Sequence, residues 1–452
     1  MAVTKTGTTT SMRTLDGNAR TGWAAAVMLA ASAFSIVPAA AQAQETGSIF
    51  SGFQAPQPAA PQRAVHPMMQ PEVLAQAEAN FPNCIAAMAP LAQAKGVPPQ
   101  NYAQIVAGLT PDMKIMDYLD SQPEFSKPLG EYVNMLVSDR RVTKGKEILA
   151  KYKPIFDKVE KAYGVDRYVI AAIWGIESDY GNPNGMGSRS VLRSTATLAC
   201  IGRRQDYFRD EFVATVQILN RGDVPADHLK GSWAGAFGPT QFMPTSFQRF
   251  AVDFDGDGKR NVVDSIPDVI ASTANNLKLD GWEFGKTWGY EVVLPPGFDY
   301  RYVDRTKRYT VGQWASLGVR RPGGAGFPRP NDTGFLLLPT GAKGPAFLVL
   351  PNFSAILKYN PADAYALAIG HLADRLRGGN PFVASWPADE RALSRSERVE
   401  IQTRLAQLGY DVGTPDGILG QKTRTAVQDF QARAGLVPDG YPGVVVLQRL
   451  RQ

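Results

Sequence analysis

From residue 168 to 176 the chain is apolar at almost every position: Tyr168, Val169, Ile170, Ala171, Ala172, Ile173, Trp174 and Ile176 follow one another with only Gly175 between. A helix that is apolar on all its faces belongs inside a protein. Its end is polar, with Glu177, Ser178 and Asp179 leading into the turn Asn182-Pro183-Asn184-Gly185. A carboxylate at the end of a buried helix is costly unless it is paired or its raised pKa has a use. Breaking a glycosidic bond needs such an acid, protonated near neutral pH and facing a cleft. A surface glutamate on the last helical turn is the plainer reading, and this stretch alone does not separate the two.

Elsewhere the pattern is mostly helical. Residues 75–94 are Ala-rich, residues 130–142 repeat apolar side chains at helical spacing, and 143–163 alternates Lys and Glu with an apolar stripe ending at Gly164. Residues 194–201, 206–220 and 352–370 continue in the same way, the last ending by about Arg377. Between them, 290–294, 335–339 and 346–351 are short β-type runs set off by Gly and Pro. The pattern predicts a mainly α (α+β) fold: a helical region over 71–377 with a small inserted sheet. A Gly/Pro/charged linker follows at 378–393, then a separate three-helix module at 394–452. In that module Asp416-Gly417 and Asp439-Gly440 form a near-repeat 23 residues apart.

Composition changes the picture at the N-terminus. Lys5, Arg13 and Arg20 precede an apolar run at 24–37 and the small residues Ala39 to Ala43, the layout of an export signal cut near Ala43. Residues 44–70 are rich in Pro and Ala without an apolar period and read as a disordered leader. No later stretch reaches the roughly 18 apolar residues of a membrane span. The whole chain carries a net charge of +6, and loss of residues 1–43 leaves +4. A mildly basic exported protein suits an acidic polymer, while the lack of a basic cluster interleaved with aromatics speaks against nucleic acid. Two cysteines occur, Cys84 and Cys200. In an oxidising compartment the reading is a disulfide, with two buried free thiols as the alternative.

Two segments carry candidate chemistry. Residues 231–247 are Gly-rich and hold Ser232, Trp233, Phe237, Gln241 and Phe242. Small residues admit close backbone approach, and aromatic faces with an amide are what a sugar ring needs. A loop that only packs the core is the competing view. Residues 253–264 place Asp253, Asp255, Asp257, Asn261 and Asp264 at positions one, three, five, nine and twelve of a loop, with Lys259 at seven and Gly258 at six. That is calcium-loop spacing, since close carboxylates repel one another unless a hard cation lies between them. Asp264 stands where a Glu is usual. A structural Ca²⁺ is expected here and no organic cofactor.

The segments 172–181 and 231–246 together, with the Asp-rich loop, Gly281-Trp282, Arg203-Arg204, Tyr359-Asn360 and Tyr365, resemble the B-type lytic murein transglycosylases. The tail resembles the peptidoglycan-binding module through Leu408-Gly409-Tyr410, Asp416-Gly417, Gly420 to Thr423 and Phe430-Gln431. It departs at Val444-Val445-Val446, where a polar helix start is usual. The resemblance implies a lysozyme-like lobe in the periplasm, acting on peptidoglycan glycan strands, with Glu177 as the sole acid and base. It implies substrate contacts from Ser232, Gln241, Phe242, Tyr359, Asn360 and Tyr365, with Arg203 and Arg204 near the negatively charged lactyl-peptide side. The implied product carries a 1,6-anhydromuramoyl end. A hydrolytic muramidase using water is the nearest alternative. A non-catalytic wall-binding protein is another, against which the complete motif around Glu177 weighs. Zinc peptidase chemistry has no support, since His66, His228 and His371 are far apart in sequence and no His-Glu-x-x-His occurs. Protein partners are not legible.

Overall fold

The computed structural model describes residues 67–119, 128–388 and 391–452. The export signal and nearly all of the leader lie outside them. Residues 67–69 form a 3₁₀ turn whose Met69 is buried. No helix among the described residues is long and apolar enough to cross a membrane.

The helix Arg167–Ser178 sits at the centre of the largest core. Asp166 caps its start, accepting from the Tyr168 backbone N–H. Eight of its residues are buried, and it packs along the helix Asp363–Arg377, against Leu367, Ile369 and Leu372. It ends at Asp179, which takes a left-handed conformation (φ 52°) without being glycine.

A second core lies under the N-terminal helices, where Phe81, Ile85 and Tyr102 meet Leu198, Phe208 and Phe212. Cys84 and Cys200 are joined there by a disulfide across 116 residues of sequence. A loop of that length contributes roughly 4–5 kcal/mol on the chain-entropy account. The Ala-rich segment is three short helices, Pro71–Ala79, Phe81–Ala87 and Ala89–Ala94. Pro82 and Pro90 lack the N–H that a continuous helix would use, so each opens a new one. Pro154 likewise divides the expected 143–163 helix into Asp139–Lys151 and Lys153–Tyr163.

The inserted sheet has four antiparallel strands in the order Gly289–Val292, Ala346–Val349, Thr333–Leu337, Tyr309–Thr310. Three of these are the expected runs; the two-residue edge strand was too short to show a period. Side chains alternate between two buried faces. Phe335, Leu337, Phe347 and Val349 enter the central core, while Val292, Leu336 and Leu348 close over Trp314 in a smaller one.

The C-terminal module packs helices Arg395–Gln407, Gln421–Arg433 and Val444–Arg451 around Ile401, Leu405, Val427 and Leu447. Its near-repeat has a physical basis. The buried side chain of Gln402 accepts from the Gly417 N–H, and that of Gln431 accepts from the Gly440 N–H, each at 2.7–2.8 Å. Residues 378–388 lie against the catalytic body. Phe382 stacks on His371 with ring centres 3.7 Å apart, and the Glu291 carboxylate accepts from the N–H groups of Val383 and Ala384. Trp386 fills the space over Gly130, where a Cβ would come within 2.4 Å of the indole.

Candidate active site

The apolar helix delivers Glu177 to its last turn, and the helix Asp363–Arg377 brings Tyr365 to meet it. The Tyr365 hydroxyl donates to Glu177 Oε1 at 2.6 Å. Burial pushes the Glu177 carboxyl up to about 7, and the Tyr365 hydrogen bond, which favours the carboxylate, opposes the shift. At neutral pH the group is therefore poised between acid and base, which one residue filling both roles requires. Burial and the nearby Glu177 hold Tyr359 and Tyr365 well above the ordinary phenol value, so both stay protonated donors.

The Gly-rich segment lies beside this pair. Tyr359 Oη donates to the Thr240 carbonyl at 2.5 Å and its ring meets Phe242 edge-on. Ser178, next to Glu177, donates to the Pro239 carbonyl at 2.6 Å and accepts from the Gly181 N–H. Gln241 is left-handed (φ 51°), and its amide donates to the carbonyls of Met186 and Gly238. Ser232 Oγ accepts from the Ala236 N–H, which shapes the turn. Gly231 and Gly187 leave no room for a side chain, because a Cβ on either would meet backbone of this segment at 2.1–2.2 Å.

Asp179 points elsewhere. Its carboxylate lies 3.0 Å from Arg140, 3.3 Å from Lys144 and 3.6 Å from Arg141, and Lys144 also donates to its carbonyl. Those contacts, with the Tyr180 ring lodged against Gly145 and Gly175, hold the left-handed turn. Glu177 has no hydrogen bond to another carboxyl group among the described residues.

The other expected contacts are more dispersed. Asn360 Oδ1 accepts from the Ala362 N–H just before the Tyr365 helix. Arg203 donates to the Leu119 carbonyl. Arg204, left-handed at φ 66°, lies over the Tyr207 ring at 4.6 Å.

In the Asp-rich loop, ligand-capable oxygens of Asp253, Asp255 and Asp268 lie within 4.8 Å of one another. Asp268 falls beyond the twelve-residue frame, in the first turn of the helix Ile266–Leu279. Asp264 turns away and pairs with the His228 ring at 3.0 Å and with the Asn261 amide. Asp257 Oδ1 accepts from the Lys259 N–H. Three carboxylates gathered without a cationic side chain between them are a hard-oxygen set that fits calcium.

A lysozyme-like helical lobe, an acid held by Tyr365 at the end of its central helix and an appended three-helix module define a glycan-cleaving enzyme of the transglycosylase class. The family model described as transglycosylase SLT domain matches residues 80–374, and a peptidoglycan binding domain model matches 394–450. Membrane-bound lytic murein transglycosylase B of Escherichia coli K12 is 32% identical over 247 residues, 53% of this chain; the match spans 65% of that relative's length. SltB3 from Pseudomonas aeruginosa, solved in complex with NAG-anhNAM-pentapeptide, is 45% identical with a TM-score of 0.79, covering 82% of this chain and 99% of that one. Escherichia coli Slt35, solved in complex with calcium, is 26% identical with a TM-score of 0.55, covering 68% and 97%. The chain belongs to the SLT transglycosylase family, as a B-type lytic transglycosylase with a C-terminal peptidoglycan-binding module.

Proposed function

We propose that the chain cleaves the β-1,4 bond between N-acetylmuramic acid and N-acetylglucosamine in peptidoglycan and leaves 1,6-anhydromuramoyl ends. The observation that carries this reading is Glu177, a lone carboxyl held by Tyr365 and raised to about 7. In the first step neutral Glu177 gives its proton to the glycosidic oxygen as the bond from C1 to that oxygen breaks. The carbonyl oxygen of the substrate's own acetamido group closes onto C1 and takes up the positive charge. In the second step the Glu177 carboxylate removes the C6 hydroxyl proton, O6 attacks C1, and the acetamido oxygen is released. Glu177 ends protonated and no water is consumed. A retaining hydrolase would need a second carboxylate about 5 Å away, and the engagement of Asp179 by three cations favours substrate assistance over that route.

Ser232, Gln241, Phe242, Tyr359, Asn360 and Tyr365 line up the sugar rings in this reading, and Arg203 and Arg204 face the acidic peptide side. Asp253, Asp255 and Asp268 would hold a calcium ion, which supplies charge neutralisation for the loop and takes no part in bond breaking. The name of the solved Slt35 complex supports that assignment. The basic and apolar pattern of residues 1–43 supports export to the periplasm with cleavage near Ala43. The test is digestion of purified sacculi with mass analysis of the muropeptides. Anhydro ends are lighter by one water than the products of a hydrolytic muramidase, so the masses decide between the two reactions.

A further inference from the structure

The C-terminal module does not merely follow the catalytic body in sequence. Asp439 Oδ2 accepts from the Ala342 N–H at 2.7 Å, and the Gln428 amide donates to the Tyr300 carbonyl at 2.6 Å. Both contacts join the module to the inserted sheet, and a crevice runs between them, lined from the sheet side by Arg305 and Leu337 and from the module by Gln421, Arg424, Gln428 and Asp439.

Two of the three charged side chains lining this crevice are satisfied. Arg305 forks onto both oxygens of Asp363. Asp439 accepts from the Gln431 amide and from the N–H groups of Tyr441 and Ala342. Arg424 is the exception, for no described carboxylate or carbonyl lies within hydrogen-bonding distance of its guanidinium. Burial and the neighbouring Arg305 lower its pKa, against the opposing pull of Asp363 and Tyr441. Arg424 is half-buried and its guanidinium keeps some contact with solvent, so water serves it where no protein acceptor does, and an anion entering the crevice would take that place.

Size narrows the ligand. The enclosed part of the crevice leaves about 20 Å³ for the centre of a water-sized group. A water needs about 10–15 Å³ by that measure, so a carboxylate enters and a sugar ring does not. Arginine matches a carboxylate with two parallel N–H donors. Position narrows it further, because Asp363, the partner of Arg305, opens the helix that carries Tyr365 to Glu177.

We propose that this crevice is a carboxylate site in which Arg424 forks onto a carboxylate of the peptide borne by the glycan strand. This rests on peptidoglycan being the substrate. Docking of the module then does more than tether the enzyme to the wall, since it completes a site that neither part has alone.

Calorimetric titration of the full chain with a soluble disaccharide pentapeptide, and with the same compound amidated at its carboxylates, reads the site directly. The acid is expected to bind about tenfold tighter than the amide, the return typical of one charge-assisted pair. Arg424→Gln should lower that preference to the share that Arg203 and Arg204 supply, and leave the affinity for the amide unchanged. Arg424→Lys should keep part of it, having the charge without the fork. Equal binding of acid and amide by the native chain would overturn the proposal and leave the crevice a water site. So would a preference undiminished in Arg424→Gln or, if that variant melts early, in Arg424→Lys. Sacculus digestion run alongside separates this idea from the enzymatic one. Anhydro products without an acid preference remove the crevice alone; an acid preference without cleavage removes the enzymatic reading alone.

Discussion

The Tyr365 hydroxyl and Glu177 Oε1 meet at 2.6 Å although 188 residues separate them in the chain. That bond fixes the acid's orientation and at the same time pulls its pKa down against burial. Tyr365→Phe removes both effects. Turnover is expected to fall about ten- to a hundredfold through lost alignment. The alkaline limb of the pH profile should move to higher pH, because the carboxylate loses its donor and the acid form gains. A limb that moved to lower pH would contradict this assignment of the bond.

Glu177→Gln keeps the shape of the side chain and an acceptor for Tyr365 while removing the proton. A general acid is worth about 10²–10⁴-fold, and here one group serves twice, so the loss should reach the top of that range. Stability should change in the other direction. The native carboxyl titrates at about 7 against an ordinary 4.5, so between those values the native state binds more protons than the unfolded one. Stability from this group is complete below pH 4.5 and lost as pH rises through 7. The Gln variant should therefore melt like the native chain at pH 4 and higher than it at pH 8.

Asp179→Asn tests the neighbouring carboxylate. Asn tolerates the left-handed backbone, but Arg141, as buried as Asp179 itself, loses its counter-charge. The expected outcome is a stability cost of about 1–3 kcal/mol with activity lowered less than tenfold. A loss equal to that of Glu177→Gln would make a two-carboxylate hydrolase the better reading.

Much of this arrangement was legible from residue order alone. Near-continuous apolarity over 168–176 called for a buried helix, while Glu177 stayed open between a cleft acid and a surface residue until the later segments were read with it. Short β-type runs set off by Gly and Pro located three of the four strands. What escaped depended on contacts that carry no local signature. The acceptor for Tyr359 is a backbone carbonyl, that of Thr240, which any residue could supply. Phe382 and Trp386 sit in a stretch whose Gly, Pro and charge suggested a free tether; Phe347 and Gly130, two of their partners, are remote in sequence, and His371 lies within the preceding helix. Asp268 was hidden by a frame of twelve that fitted the residues before it. Its place after Ser265, in the first turn of a helix, was the available clue.

That displaced aspartate gives the calcium site a discriminating test. Chelation should lower the melting temperature and added Ca²⁺ restore it, by linkage of binding to folding. Asp268→Asn should abolish the calcium-dependent rise, whereas Asp264→Asn, whose carboxylate faces His228, should largely keep it. Calcium-dependent melting lost in Asp264→Asn but intact in Asp268→Asn would restore the twelve-residue loop as the ligand set.

Truncation distinguishes the packed strap from the module it leads to. A chain ending at Ala388 keeps Phe382 on His371, Trp386 over Gly130 and the Glu291 bonds to Val383 and Ala384. A chain ending at Arg377 loses all of them and bares Phe347, which Phe382 otherwise meets at 4.9 Å between ring centres. Removing two partly buried aromatics should cost the body about 2–3 kcal/mol at the usual return for apolar area. The shorter chain should melt measurably earlier than the longer one. Both should lose retention on insoluble sacculi to the same extent, because a tethered second site raises effective concentration without adding chemistry. Both should still act on soluble glycan fragments. Equal melting of the two chains would mean that the strap rests on the body without stabilising it, and pull-down on sacculi equal to that of the full chain would remove the module's binding role.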